Sequence, residues 1–224
     1  MNLANATPGR GGLLSFMLAG ACLGLLSRGA RGQPVTPALE SVAERQDVTA
    51  FLPLLRSGDL TLVESRPDGR LKQVTVLGLV SAPPQRVWDA LTDYAHYRDF
   101  MPSLAGFEIV RCEGDEVVAA YEVEVPGSNL EYRLRHRHRP PARVDISLAD
   151  ADGDIRTGAW RWDLVACPGG QQTIVLYTLY TDVRESSWIV RRVLKSQPAM
   201  EHAMNVATGL LTVSAVRRWA EKPR

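Results

Sequence analysis

Hydrophobic and polar positions follow two periods along this chain, and their order predicts its architecture. The runs "DLTLVES" and "LKQVTVLGLV" are β-rich and flank Arg66-Pro67-Asp68-Gly69-Arg70, a Pro-Asp-Gly turn, which predicts a hairpin. The period then changes. Pro83 and Pro84 open a helix in which Val87, Trp88 and Leu91 recur at helical spacing. A second short helix or turn carries Tyr97, Phe100 and Met101 and ends at Pro102. Six β-rich runs follow between Phe107 and Asp182: "FEIVRC", "EVVAAYEVEV", "LEYRLRHRH", "RVDISLA", "TGAWRWDLVA" and "TIVLYTLYT". Their connections are short, so sequence neighbours pair as antiparallel hairpins. A helical stretch from Ser186 to about Glu221 closes the chain, kinked or split by Pro198. Met200, Met204, Ala207, Leu211 and Ala215 form its apolar stripe, widened by Val206, Leu210 and Val213. Gly209 costs that helix about 1 kcal/mol relative to alanine, a cost tolerated where an aromatic or a ligand needs room.

Alternation sorts the strands into faces. In "LEYRLRHRHR", Leu130, Tyr132, Leu134, His136 and His138 share one face, while Glu131, Arg133, Arg135, Arg137 and Arg139 share the other. In the preceding strand Tyr121, Val123 and Val125 lie opposite Glu122 and Glu124. A turn over Pro126 to Asn129 sets Val125 against Leu130 and Glu122 against Arg133. The arginines then read as a solvated sheet face paired with Glu122, Glu124 and Asp145. A sheet with one wet face must cover the other, and the cover available is the closing helix with the two small helices. Twisted strands curling round one helix leave a gap. Its predicted lining is Tyr121, Val123, Tyr132, Leu134, His136, Trp160 and Trp162, with Met200, Met204 and Leu211 from the helix. A core packed solid, with no cavity, is the competing reading.

The N-terminus is different. "LLSFMLAGACLGLL" follows Arg10, is shorter than the ~20 residues that span a bilayer, and precedes Ala30-Arg31-Gly32. Residues 1–32 therefore read as a signal peptide, 33–57 as a linker with short helices, and 58–222 as one domain. Export places the mature chain in the bacterial periplasm or envelope; anchoring by an uncleaved N-terminal segment is the alternative. Export would leave Cys112 and Cys167, a pair that invites a disulfide but is no stapled framework. Overall, 26 basic and 25 acidic residues among 224 give a formal charge of +1, with no general pull toward nucleic acid.

His136 and His138 stand ~6.6–7 Å apart on one strand face, close enough to share a metal. Zinc would need a third ligand from His96, His202 or a carboxylate, and no spacing links those to the strand, so no metal site is assigned. A cavity-facing His136, helped by Tyr121 or Tyr132, could instead serve as acid or base. The plainer reading is a polar pair at the rim of the sheet, with His138 the more exposed. No nucleophile elbow, phosphate loop or dinucleotide fingerprint occurs, and no cofactor is implied.

"LVSAPPQRVWDALTDYAHYRDFMPSL", "EYRL", the strand run and the ending "SWIVRRVLKSQPAMEHAMNVATGLLTVSAVRRWAE" together resemble the START-like, birch-pollen-allergen-like helix-grip superfamily over residues 60–221. Within it they resemble the polyketide cyclase/dehydrase and coenzyme Q-binding group, which also includes the bacterial ribosome-association toxin. The resemblance implies an α+β helix-grip fold. Six or seven curved antiparallel strands, plus an extra N-terminal hairpin strand, would grip the long C-terminal helix round an apolar cavity. It also implies binding of lipids, quinones, sterols or polyketides, and carries no universal catalytic residues. The expected function is carriage of a small hydrophobic ligand without catalysis. The alternative is a cyclase or dehydrase using His136, and a third reading is a scaffold that holds a protein on the arginine face. A transient membrane contact is a further expectation; protein partners stay open.

Overall fold

Strands dominate the middle of this chain because its β-branched and aromatic residues alternate with polar ones between tight Gly- and Pro-bearing turns. The computed structural model describes residues 33–125, 128–184, 188–197 and 199–223; the expected signal segment and Pro198 lie outside them. Among these, α1 (Val42–Arg45) and α2 (Leu52–Leu55) flank a 3-10 turn and lead into the hairpin β1 (Leu60–Ser65) and β2 (Leu71–Val80). Next come α3 (Pro84–Thr92), a 3-10 turn at Tyr94–His96, and α4 (Tyr97–Phe100). Six strands follow: β3 (Leu104–Glu113), β4 (Glu116–Val125), β5 (Ser128–Arg139), β6 (Arg143–Leu148), β7 (Gly158–Ala166) and β8 (Thr173–Thr181). The chain closes with α5 (Trp188–Ser196) and α6 (Met200–Ala220).

The eight strands form one antiparallel sheet in the order β1-β2-β8-β7-β6-β5-β4-β3. Sequential hairpins build all of it except the β2–β8 pairing, which joins the first hairpin to the last strand. The architecture is the expected α+β helix grip, with α6 lying across β2 and β8.

The β4–β5 register differs from the four-residue turn expected. Val125 opposes Ser128, Val123 opposes Leu130, and Glu122 opposes Glu131 rather than Arg133. A slip of two residues preserves the faces but changes every charged neighbour. The outer arginines therefore find other partners: Glu116 for Arg135 at 3.1 Å and Arg137 at 3.5 Å, and Asp150 for Arg133 at 3.1 Å. Asp145 does pair as expected, with Arg139 at 3.5 Å.

Only part of the outer face is wet. Residues 42–55 cover β2, β8 and β7, where Val42, Val48 and Leu55 bury Leu77, Ile174, Leu176 and Cys167. This explains why "TIVLYTLYT" is apolar on both faces. Ser41 Oγ donates to Asp163 Oδ2 at 2.8 Å, and buried Arg161 donates to Glu44 and Asp163 at 2.7 and 2.8 Å, tying this cover down. Both Cys167, buried in that layer, and Cys112, exposed on β3, are free thiols.

Helix α6 is rotated from the expected stripe. Its buried residues include Glu201, Asn205, Gly209, Thr212, Val213, Val216 and Ala220, whereas Met200 is 40% exposed and Leu211 57% exposed. Polar residues disguise this inner face. Asn205 Oδ1 accepts from Thr181 N–H at 2.8 Å while its Nδ2 donates to Thr181 C=O at 3.1 Å, and Glu201 accepts from Arg184 at 3.3 Å.

Candidate ligand-binding cavity

Between α6, the inner face of β4–β8 and the segment Met101–Leu104 lies a cavity of about 250 Å³. Register explains its wall. Reading across the sheet, Val117 faces His136, His136 faces Ile146, Ile146 faces Trp160, and Trp160 faces Leu179. On either side of that row, Tyr121 faces Tyr132 and Trp162 faces Tyr177. Of the residues expected at a cavity, Tyr121, Val123, Tyr132, Leu134, His136, Trp160, Trp162 and Leu211 line this one. Met200 and Met204 do not: Met200 is exposed and Met204 packs against the main core. Sequence reading missed Tyr97, Tyr177, Thr208 and Thr212. Tyr177 was within reach, since alternation puts it on the face of Leu179. The threonines were hidden by the one-residue error in the helical stripe.

Aromatic stacking stiffens the lining. Trp162 and Tyr177 stack at 4.3 Å between centroids, and Tyr121 and Tyr132 at 5.8 Å. Tyr132 and Tyr177 line the cavity, and neither side chain makes a hydrogen bond among the described residues. Tyr121 is engaged: its hydroxyl lies 2.9 Å from His136 Nε2. Leu211, on the cavity wall and largely exposed, marks the mouth.

A family model described as polyketide cyclase / dehydrase and lipid transport matches residues 80–201, more than half of the chain. The chain belongs to this family. That membership spans enzymes and lipid carriers alike, and does not by itself choose between them. Curated relatives in the family's neighbourhood include the ribosome association toxin RatA of two Vibrio cholerae serotype O1 strains, 24% identical over 90 residues. The match covers 40% of this chain and 62% of that toxin's length. Two solved structures share the family's fold. A STAR-related lipid transfer protein fragment from Xanthomonas axonopodis aligns with a TM-score of 0.54 at 16% identity, covering 74% of this chain and 94% of that one. Zhui aromatase/cyclase from Streptomyces sp. R1128 aligns with a TM-score of 0.52 at 18% identity, covering 67% and 93%.

What this family member's cavity can do depends on its two histidines, and the structure separates them. His136 is 2% exposed, and burial, with His138 nearby, pushes its pKa down to about 3. Burial likewise raises Tyr121, Tyr132 and Tyr177 above the ordinary tyrosine range. The Tyr121–His136 pair is therefore neutral near pH 7, with the hydroxyl donating whenever Nε2 carries no proton. His138 is the more exposed of the two, as expected, but it is half-buried and not free at a rim: its Nε2 lies 2.6 Å from the Tyr94 hydroxyl, and its ring meets Trp88 edge-on at 5.8 Å. Each histidine thus has its own tyrosine. Trp88 is a buried anchor of α3, and Asp93 caps that helix while accepting from Trp219 Nε1 at 3.1 Å. Among the described residues no group of three or more His, Cys, Asp or Glu is arranged to hold a metal.

The depressed His136 has a thermodynamic consequence. Between pH 6.5 and about 3 the unfolded chain binds a proton there that the folded chain refuses. Stability from this group is complete above the unfolded pKa and declines as pH falls. From pH 7 to pH 5 the loss is on the order of 2 kcal/mol. Urea denaturation across that range is expected to show a steeper decline for the native chain than for His136→Gln; parallel profiles would refute the assignment. His138 is lowered in the same direction by burial and contributes to both curves.

Proposed function

We propose that this protein binds and carries a small, largely apolar ligand with a polar head group, without chemically changing it. The observation that carries the reading is an aromatic-walled cavity whose open polar groups, the Tyr132 and Tyr177 hydroxyls, are hydrogen-bonding groups and not proton carriers at neutral pH. Each 100 Å² of apolar ligand surface taken from water contributes about 2.5 kcal/mol, and the hydroxyls orient the head. About 250 Å³ holds a ring system or a short chain, with any longer tail leaving past Leu211. An isoprenoid quinone or a single-chain lipid has that form. The setting is the bacterial envelope, reached through the export segment at residues 1–32 or with that segment retained as an anchor. A transient membrane contact is part of this proposal: Val193, Met200 and Leu211 are exposed apolar residues of α5 and α6, and Leu211 is also part of the cavity wall. Among the described residues no helix is long and apolar enough to cross a membrane.

Solvent extraction of the purified protein followed by mass spectrometry is expected to recover an apolar compound at near-stoichiometric yield. Recovery of none, together with no binding across a lipid and quinone panel, would overturn the proposal. The competing reading is cyclase or dehydrase chemistry, favoured by the contact of Tyr121 with a cavity-lining His136. A base with a pKa near 3 is poorly matched to proton abstraction at neutral pH. His136→Ala separates the two readings. Under carriage it changes ligand affinity several-fold and there is no turnover to lose; under catalysis it abolishes turnover of a polyketide-like substrate while affinity stays within about threefold.

A further inference from the structure

The arginines of β5 border a second concavity, on the outer face of the sheet and remote in chemistry from the aromatic cavity. It is a cleft of about 470 Å³ with β5, β6 and β7 as its floor and the extended segment Thr36–Leu39 as one wall. That wall is anchored where Val35 N–H donates to Arg156 C=O at 2.9 Å and Gly158 N–H donates to Val35 C=O at 3.2 Å. Arg135, Arg137, Arg139, Arg143 and Arg161 line the cleft, and among the described lining residues Asp145 is the one carboxylate.

Other carboxylates hold these guanidiniums from the margins. Glu116 takes Arg135 and Arg137, Asp145 takes Arg143 at 2.5 Å and Arg139 at 3.5 Å, and Glu44 takes Arg143 and Arg161 at 3.1 and 2.7 Å. Asp163 also takes Arg161. Five guanidiniums therefore share four carboxylates, and Glu116 is drawn on again by Arg111 at 2.9 Å. Arg137 and Arg139 are the least committed. Each meets its carboxylate at 3.5 Å, and their side chains are 60% and 58% exposed. A guanidinium carries five donors, so most of theirs remain open.

We propose that this cleft is a second ligand site that binds phosphate groups, either of a phosphorylated small molecule or of a lipid head group. Arg135, Arg137 and Arg139 project from one strand face at intervals of about 6.6–7 Å, a ladder on which neighbouring forks straddle a phosphate or diphosphate. Guanidinium geometry suits the tetrahedral oxyanion, and a phosphate brings more acceptor oxygens than the shared carboxylates supply. The concave form favours a compact anion over a protein, whose stable docking takes about 800 Å² of surface per partner. The carboxylates then act as holders that keep the forks apart and oriented when the site is empty.

The test is titration calorimetry of the full chain with inorganic pyrophosphate at low salt, beside flotation with vesicles of phosphatidic acid in phosphatidylcholine. Arg137→Ala/Arg139→Ala is expected to weaken pyrophosphate binding at least tenfold with an unchanged circular dichroism spectrum. Arg56→Ala/Arg70→Ala, which removes the same charge from exposed positions that do not line the cleft, should leave it unchanged. If the cleft variant also loses vesicle binding, the phosphate belongs to a lipid head group; if vesicles never bind through the cleft, it belongs to a free phosphorylated compound. Absence of saturable pyrophosphate binding, equal weakening in both variants, or displacement of pyrophosphate by poly-glutamate at lower concentration would overturn the proposal. None of these readouts involves the aromatic cavity, so failure here leaves the carriage proposal standing, and the reverse holds.

Discussion

Gly209→Ala is expected to destabilise the protein, against the helical preference for alanine of about 1 kcal/mol, and Gly209→Val to cost about 1–3 kcal/mol. A methyl group at this position would sit 2.7 Å from Val76 Cγ2 and 3.2 Å from Leu179 Cδ2. Both neighbours are fully buried β-strand residues with nowhere to move. The opposing glycine tells the same story from the sheet: a Cβ on Gly78 would lie 2.8 Å from Val213 Cγ1 of α6. The helix crosses β2 at backbone-to-side-chain distance, and these two glycines make room for it. Thr208 and Thr212 flank Gly209 and line the cavity, so lifting α6 should also loosen ligand retention. Urea midpoints for the two variants are the measurement; a Gly209→Ala protein more stable than the native one would show that the helix is not held this close.

Trp162→Ala is expected to cost about 3–5 kcal/mol, the range for truncating a large buried aromatic. The ring is 3% exposed, stacks on Tyr177 at 4.3 Å and forms part of the cavity wall. Its removal merges a tryptophan-sized void with the existing space. An apolar void of this kind stays dry and accepts small aromatic compounds. Indole added to Trp162→Ala should therefore raise its melting temperature more than it raises the native protein's, through preferential binding to the folded state. Trp162→Phe keeps a stacked ring and should recover at least half of the lost stability. A cost below about 1 kcal/mol for the alanine variant, or no rescue by indole, would place Trp162 outside the cavity wall.

Strand-rich and helix-rich stretches were legible in the residues because each period has a local cause. Alternation in β4, β5 and β6 assigned Tyr121, Tyr132, Leu134 and His136 to one face, and pairing across the sheet keeps them together. The family resemblance rested on the same stretches, above all "PPQRVWDALTDY" and the closing helices. Electrostatic partners were not legible. A two-residue difference in one hairpin leaves the faces intact, yet it sets Glu122 beside Glu131 and hands Arg135 and Arg137 to Glu116. The helix face was misjudged because Glu201, Asn205 and Thr212, all polar, turn inward with their hydrogen bonds met: Asn205 by the Thr181 backbone of β8, Glu201 by Arg184, and Thr212 by the Thr208 carbonyl one turn earlier.

By itself the sequence determined the order of the elements, the hairpin pairing of neighbouring strands, and which residues of β4, β5 and β6 look inward. These follow from steric and hydrophobic preferences acting within about ten residues. Tertiary structure alone decided the rest. It put residues 42–55 over the back of β2, β7 and β8, turned α6 by about one residue so that Gly209 meets Val76, and gave His136 and His138 separate tyrosines. The common reason is that burial is a property of a place. The apolar character of β8 on both faces, the tolerance of polar residues inside α6 and the neutrality of His136 each depend on atoms contributed from elsewhere in the chain.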